Sequence, residues 1–269
     1  MILASLPVWS FVLLGATVLA YGIPAVFGAR MRPSTAHVVL VLAWVLHAGV
    51  IVSGWLGDTP RFGFGPAVSI TAWLVLTVYA VESHHLPQLG TRWALAGLGA
   101  FAVVLGSVFP GTPLHASASP WLPLHLALGL GSYGLFAAAV VHAWLMTRAE
   151  RQIRHASDPS TGLPLLTLER MTFRFVFGGF VLLTATLLAG WLFRDLLYAQ
   201  SGSGGKWLDH KTVFSVLAWL TFATLLIGRQ RFGWRGRKAV RVLYIGAALL
   251  LLAYVGSRFV LEVILNRSA

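Results

Sequence analysis

The stretch Trp207–Arg229, WLDHKTVFSVLAWLTFATLLIGR, decides how this chain is read. It opens on Trp207, Asp209, His210 and Lys211, then runs from Val213 to Ile227 without a charge. At ~1.5 Å of rise per residue, Lys211 to Gly228 makes about 26 Å of helix, close to the hydrocarbon thickness of a bilayer. His210 therefore belongs at a membrane surface, outside the lipid interior. From this stretch alone two readings of the mouth stay open. It is an interfacial anchor, with Trp and Lys fixing helix depth, or a ligand set at the mouth of a helix bundle.

The rest of the chain has the same character. Its 269 residues are 57% hydrophobic and 10% charged, with a mean hydropathy of +0.78. That is more apolar surface than a water-soluble core can hide, so the chain is a polytopic membrane protein. The fold class expected is all-α: one helical membrane bundle over 1–269 with about eight spans. These are read at 3–27, 36–56, 66–82, 91–109, 122–147, 172–193, 211–228 and 240–262, the third being the shortest. No basic residue precedes the first span, and its apolar run exceeds the core of a cleaved signal, so it is expected to stay in the mature protein.

A formal net charge of +12 would suggest nucleic acid in a soluble protein. Here the basic residues cluster in short loops between spans, where they set topology and meet membrane lipid, and no nucleic-acid partner is expected. Fourteen of the 20 Lys and Arg fall on one side of the expected spans, including Arg30, Arg148, Arg154, Arg170, Arg231 and Lys238. The other side holds Arg61, Arg194, Lys206, Lys211, Arg258 and Arg267. The positive-inside rule makes the first side cytoplasmic and leaves both termini outside. The segment 148–171 is then a cytoplasmic connector that opens as a charged extension of the fifth helix and is broken at Asp158, Pro159, Gly162 and Pro164. The outer loop Pro110–Pro123, rich in Pro and Ser and ending near Trp121, reads as a short cap.

Chemistry-bearing motifs are sparse. Gly129, Gly131 and Gly134 satisfy G-x-G-x-x-G, but no strand precedes them, and in an apolar helix such residues let helices approach closely. There is no P-loop, no H-E-x-x-H, no nucleophile elbow and no intramembrane carboxylate pair, so no enzyme activity is expected. The absence of Cys removes disulfides, thiolate metal sites and covalent haem attachment.

The nine histidines are sorted by topology. His37, His84, His85 and His155 fall at the cytoplasmic surface, His115 in the outer loop, and His142 near the cytoplasmic end of span five, where the helix C-terminus accounts for it. His125 and His210 begin spans five and seven on the same outer side. Two facing imidazoles can ligate haem iron axially. The same side carries Lys211 and Arg258 as partners for propionates, and Trp121, Trp191 and Trp207 as ring contacts. His47, near the middle of span two, is either a functional residue or a hydrogen-bonded tie between helices.

These residues resemble the cytochrome c assembly superfamily, membrane proteins of the CcsA and CcmC type that handle haem, over roughly 121–262. In PWLPLHLALGLGSYGLFAAAVVHAWLM an outer-side His opens a helix and a Ser-Tyr pair follows, here His125, Ser132 and Tyr133. The span WLDHKTVFSVLAWLTFATLLIGR is similar to the helix after the family's tryptophan-rich motif, with Asp209, Lys211, Trp219, Phe222, Ala223 and Arg229 in matching places. The basic loop RQRFGWRGRKAVR and the ending YVGSRFVLE are closest to the small YpjD-type branch. The full WWD motif is absent, the family's second outer His is replaced near Gly256–Arg258, and Ile227 stands where larger members carry an inner His.

The resemblance implies an inner-membrane accessory factor of cytochrome c assembly that binds or passes non-covalent haem b near the outer face. Of the two expected metal ligands, His125 carries over from the family, whereas His210 lies in the motif region without matching a family His; Trp121, Trp207, Lys211, Arg258 and His47 are the expected surrounding cofactor contacts. Haem and other assembly proteins are the partners. The competing expectation is a haem-free scaffold or regulatory subunit working through its basic cytoplasmic loops. For topology, reporter fusions after Arg154 and after Arg237 are expected to score cytoplasmic and one after Ser203 external; the reverse pattern would remove the outer-face site.

Overall fold

The computed structural model describes residues 8–56, 60–85, 92–113, 121–154, 165–192, 210–256 and 259. Eight helices form among them: α1 (Val8–Phe27), α2 (Pro33–Trp55), α3 (Phe64–His85), α4 (Arg92–Val108), α5 (Trp121–Arg154), α6 (Leu165–Leu192), α7 (His210–Phe232) and α8 (Gly236–Leu251). The last continues as a π turn over Leu252–Gly256. Seven are long and apolar enough to cross a membrane, and α4 is apolar over the shorter stretch Leu95–Val108. The expected polytopic helical bundle is therefore what forms.

Two boundaries need correction. The third helix, with 22 residues, is not the shortest, because α4 has 17. The sixth helix begins at Leu165, seven residues before the expected 172. Its first turns are held in place by packing, since Leu168 is fully buried and Glu169 is ion-paired. The connector expected over 148–171 is thus helical at both ends, and its expected breakers Asp158, Pro159, Gly162 and Pro164 lie outside the described residues.

The chain divides at His115 into two compact units. In the first, each of α1 to α4 packs on its neighbour in sequence, and α1 also packs on α4, which closes a four-helix ring. A short antiparallel pair, β1 (Arg61–Phe62) and β2 (Thr112–Pro113), ties the α2–α3 connection to the end of α4. Gly111 makes this possible: its φ is +79° and a Cβ there would lie 2.5 Å from the Phe62 backbone. Trp44 and Trp73 stack at 5.1 Å, and each indole N–H finds an acceptor, Thr77 Oγ1 at 2.8 Å and Trp44 O at 3.1 Å. In a lipid environment such polar atoms must be satisfied within the protein.

In the second unit α5, α6, α7 and α8 pack in sequence, and α5 also meets α8. All four meet in one layer. The rings of Phe136 on α5 and Phe222 on α7 stack at 3.7 Å with 9° between their planes. Behind Phe136 lies Gly179 of α6, where a Cβ would sit 3.1 Å from the ring, and behind Phe222 lies Gly246 of α8, where it would sit 2.7 Å away. Two glycines thus let two flat rings fill the bundle axis while the backbones stay close, which is how membrane helices gain contact in the absence of a hydrophobic drive between them.

At one end Glu169 accepts from Arg229 at 2.7 Å and lies 3.6 Å from Arg235, and the Arg229 guanidinium stands 3.6 Å over the Phe173 ring. Between α7 and α8 the chain turns through Gly233, Trp234 and Arg235, with Gly233 and Gly236 at φ +62° and +57°. Trp234 donates its N–H to Gly228 O at 3.1 Å, its ring lies on Gly228, and Lys238 Nζ stands 4.0 Å over that ring. A cleft with room for about one water, 10 Å³, opens beside Glu169, Phe173 and Gly236.

Gly246→Val is expected to lower stability by about 1–3 kcal/mol through overpacking against Phe222, measured as a fall in the thermal unfolding midpoint in detergent. Adding Phe222→Leu should recover part of that loss, since the two positions touch. An unchanged midpoint for Gly246→Val would show that the ring layer does not set the spacing.

Candidate functional site

Helices α5 and α6 run antiparallel in one register. A Cβ at Gly131 would meet Leu182 and one at Gly129 would meet Thr186, and the His142 ring lies 5.1 Å from Phe175. The ladder reaches His125, whose Cε1 would stand 3.3 Å from a Cβ at position 190. Gly190 therefore provides the flat place on which the imidazole lies. It was not weighed in the sequence, where a glycine beside Trp191 at the end of a span was the available signal.

Helix α6 meets α7 in a second register, through Glu169 with Arg229 and through Trp219, which donates to Thr184 Oγ1 at 2.8 Å and stacks on Phe180 at 5.4 Å. Continued to the start of α7, this pairing brings His210 level with Gly190. His125 and His210 thus stand at one level of the second unit, on the two helices that flank α6. Their surroundings differ. His125 is half-buried, and its Nδ1 is enclosed without a hydrogen-bond partner among the described residues. His210 is exposed at the first residue of α7. Lys211, half-buried, continues the stripe of Ala218, Phe222 and Leu225 that faces the core, so the inward ionisable group of α7 at this end is Lys211.

The remaining candidates are dispersed. Trp121 is exposed one turn before His125, and Trp191 is exposed at the end of α6. Trp207 and Arg258 lie outside the described residues, as do Arg194, Lys206, His115, His155 and Glu262. His47 belongs to the first unit, fully buried. Both of its ring nitrogens are engaged, Nδ1 with Tyr21 Oη at 3.3 Å and Nε2 with Ser69 Oγ at 2.9 Å. Space for this triad comes from α4, where a Cβ at Gly99 would lie 2.9 Å from the Tyr21 ring and one at Gly106 3.1 Å from Ser69 Cβ. His37 is exposed.

His142 needs a different account from the one drawn from sequence. Helix α5 runs on to Arg154, so His142 is not at a helix end. It is buried and its Nδ1 donates to Ala138 O at 2.8 Å. Among the described residues no group of three or more His, Asp or Glu could hold a metal ion. What the His125 end offers chemically is an imidazole whose enclosed Nδ1 has no hydrogen-bond partner among the described residues.

The sequence profile of the family described as "Cytochrome C assembly protein" matches residues 34–265, well beyond the region 121–262 in which the resemblance was first apparent. The chain is 30% identical to the inner membrane protein YpjD of Escherichia coli K12 over 240 residues, covering 87% of this chain and 88% of the relative. It is 26% identical over 264 residues to the cytochrome c biogenesis protein CcsA of Synechococcus sp. CC9902, covering 84% of each. With CcsA of Prochlorococcus marinus it shares 21% identity over 268 residues, 86% of this chain and 83% of the relative. No solved structure matches the chain. With a profile match over most of its length and helices that repeatedly cross a membrane, this multi-pass inner-membrane protein belongs to the cytochrome c assembly protein family.

Proposed function

We propose that this protein binds haem b non-covalently at the His125 end of its second unit and works as an accessory factor that holds or passes haem during cytochrome c assembly. The observation that carries the proposal is the enclosed Nδ1 of His125, which has no hydrogen-bond partner among the described residues. An unpaired polar atom in such a setting costs free energy unless a ligand claims it. Family membership directs the choice of ligand, and the chemistry of the donor fits, since neutral imidazole is a common axial partner of haem iron.

A haem bound here would supply an iron centre that imidazole nitrogen can ligate. Of this chain's own residues, His125 presents the lone pair, and the flat face of Gly190 fixes its ring. His210 stands level with it and is the second candidate ligand. Lys211 and Arg258 are the cations assigned to the propionates, and Trp121 and Trp207 the indoles assigned to the macrocycle edge. The distribution of Lys and Arg puts this end on the outer face. His47 is left out of the ligand set because both its nitrogens are already bonded; its role is to tie α1, α2 and α3 together. Haem and other assembly components are the partners this reading requires.

The protein purified from haem-replete membranes is expected to show a Soret band. His125→Ala should remove most of it, and His125→Ala with His210→Ala all of it, while His47→Ala retains it. With both imidazoles bound the iron is low-spin and six-coordinate, whereas ligation by His125 alone leaves a position that carbon monoxide fills on reduction. Equal haem content in the double variant and the parent would overturn the assignment. A protein with no Soret band would instead favour the scaffold role.

A further inference from the structure

Tyr133 on α5 reaches across to the end of α8. Its hydroxyl donates to Leu250 O. Leu250 O and Tyr254 N–H stand four residues apart, so in an uninterrupted α-helix they would bond to each other. The phenol competes for that carbonyl. Immediately there α8 stops being α-helical and becomes a π turn over Leu252–Gly256. Side chains that enter the i to i−4 ladder are a recognised cause of such breaks, and π turns recur at functional positions.

A π turn is in effect one residue inserted into an α-helix, and each residue turns a helix by about 100°. The residues that close the turn are therefore rotated about α8 relative to a straight continuation. Tyr133 lies two turns along α5 from His125, and the α5–α8 pairing runs antiparallel from Tyr133 and Leu250. The π turn Leu252–Gly256 therefore lies on the His125 side of Tyr133. We infer that Tyr133 is a positioning residue of the His125 end: its hydroxyl is the wedge that keeps α8 in the π turn and so sets which side of Tyr254, Val255 and Gly256 turns toward α5. The inference rests on the haem-site reading only for the site's identity; the wedge itself stands on the contacts of Tyr133.

The chain has no Cys, so single cysteines carrying nitroxide labels can be placed one at a time from Ile245 through Phe259 in the full-length protein in bilayers. Oxygen accessibility along the scan reports which positions face lipid. In the parent its periodicity should break at Leu252–Gly256. In Tyr133→Phe the break should vanish and positions after Tyr254 should shift in phase by about 100°, with positions before Leu251 unchanged as the internal control for folding. Deleting Leu252 in the Tyr133→Phe background should restore the parental phase downstream, because a straight helix one residue shorter replaces the π turn. An unbroken pattern in the parent, or an unshifted one in Tyr133→Phe, would overturn the wedge. If Tyr133→Phe disturbs the control positions, the Leu252 deletion alone decides, since it should clash with an intact wedge and lose the parental downstream phase. Haem content in the same variants separates the two ideas: a phase shift in a protein without any Soret band would sustain the wedge and sink the haem site.

Discussion

The second unit depends on a contact between two flat rings and two missing side chains. Phe136 and Phe222 stack at 3.7 Å, and the outer face of each ring rests on a glycine of a different helix. Because all four helices contribute one member, this layer fixes both the spacing and the mutual register of α5, α6, α7 and α8. The registers in turn decide what happens at the ends. They lay His125 on Gly190, carry the start of α7 to the same level, and let Tyr133 reach α8. A membrane bundle cannot rely on water to drive its helices together, so shape at such a layer has to supply the specificity.

Several polar groups inside the two units find partners on a neighbouring helix or in the preceding turn. Trp44, Trp73 and Trp219 each place the indole N–H on an acceptor of a neighbouring helix. His47 satisfies both nitrogens through Tyr21 and Ser69. The buried threonines Thr17 and Thr172 return their hydroxyls to the preceding turn. The enclosed Nδ1 of His125 has no such partner among the described residues.

Much of this was legible in the sequence, for definite reasons. Uninterrupted apolar runs locate the spans whatever their partners are, and each of the eight expected spans has its helix. The family resemblance singled out His125, Ser132 and Tyr133. What stayed hidden was anything that depends on faces and levels. Nothing in the order of residues says that Gly179 and Gly246 back the same pair of rings, or that His142 is three turns from the end of its helix. The early start of α6 at Leu165 was missed because Glu169 and Arg170 read as a solvated linker, whereas Glu169 is drawn into the bundle by Arg229. The partners of His47, Tyr21 and Ser69, stand 26 and 22 positions away in the chain and were equally out of reach.

The tight turn between α7 and α8 bears on how the protein is made. Only Gly233, Trp234 and Arg235 separate the two helices, and Trp234 is pinned to Gly228 on one side and to Lys238 on the other. So short a link cannot leave one helix in the lipid while the other waits in water with its backbone paired to nothing. The pair therefore partitions into the bilayer as a prefabricated hairpin, and its cluster of arginines, too costly to draw through the hydrocarbon, acts during synthesis as the stop that keeps the turn on the side from which it entered.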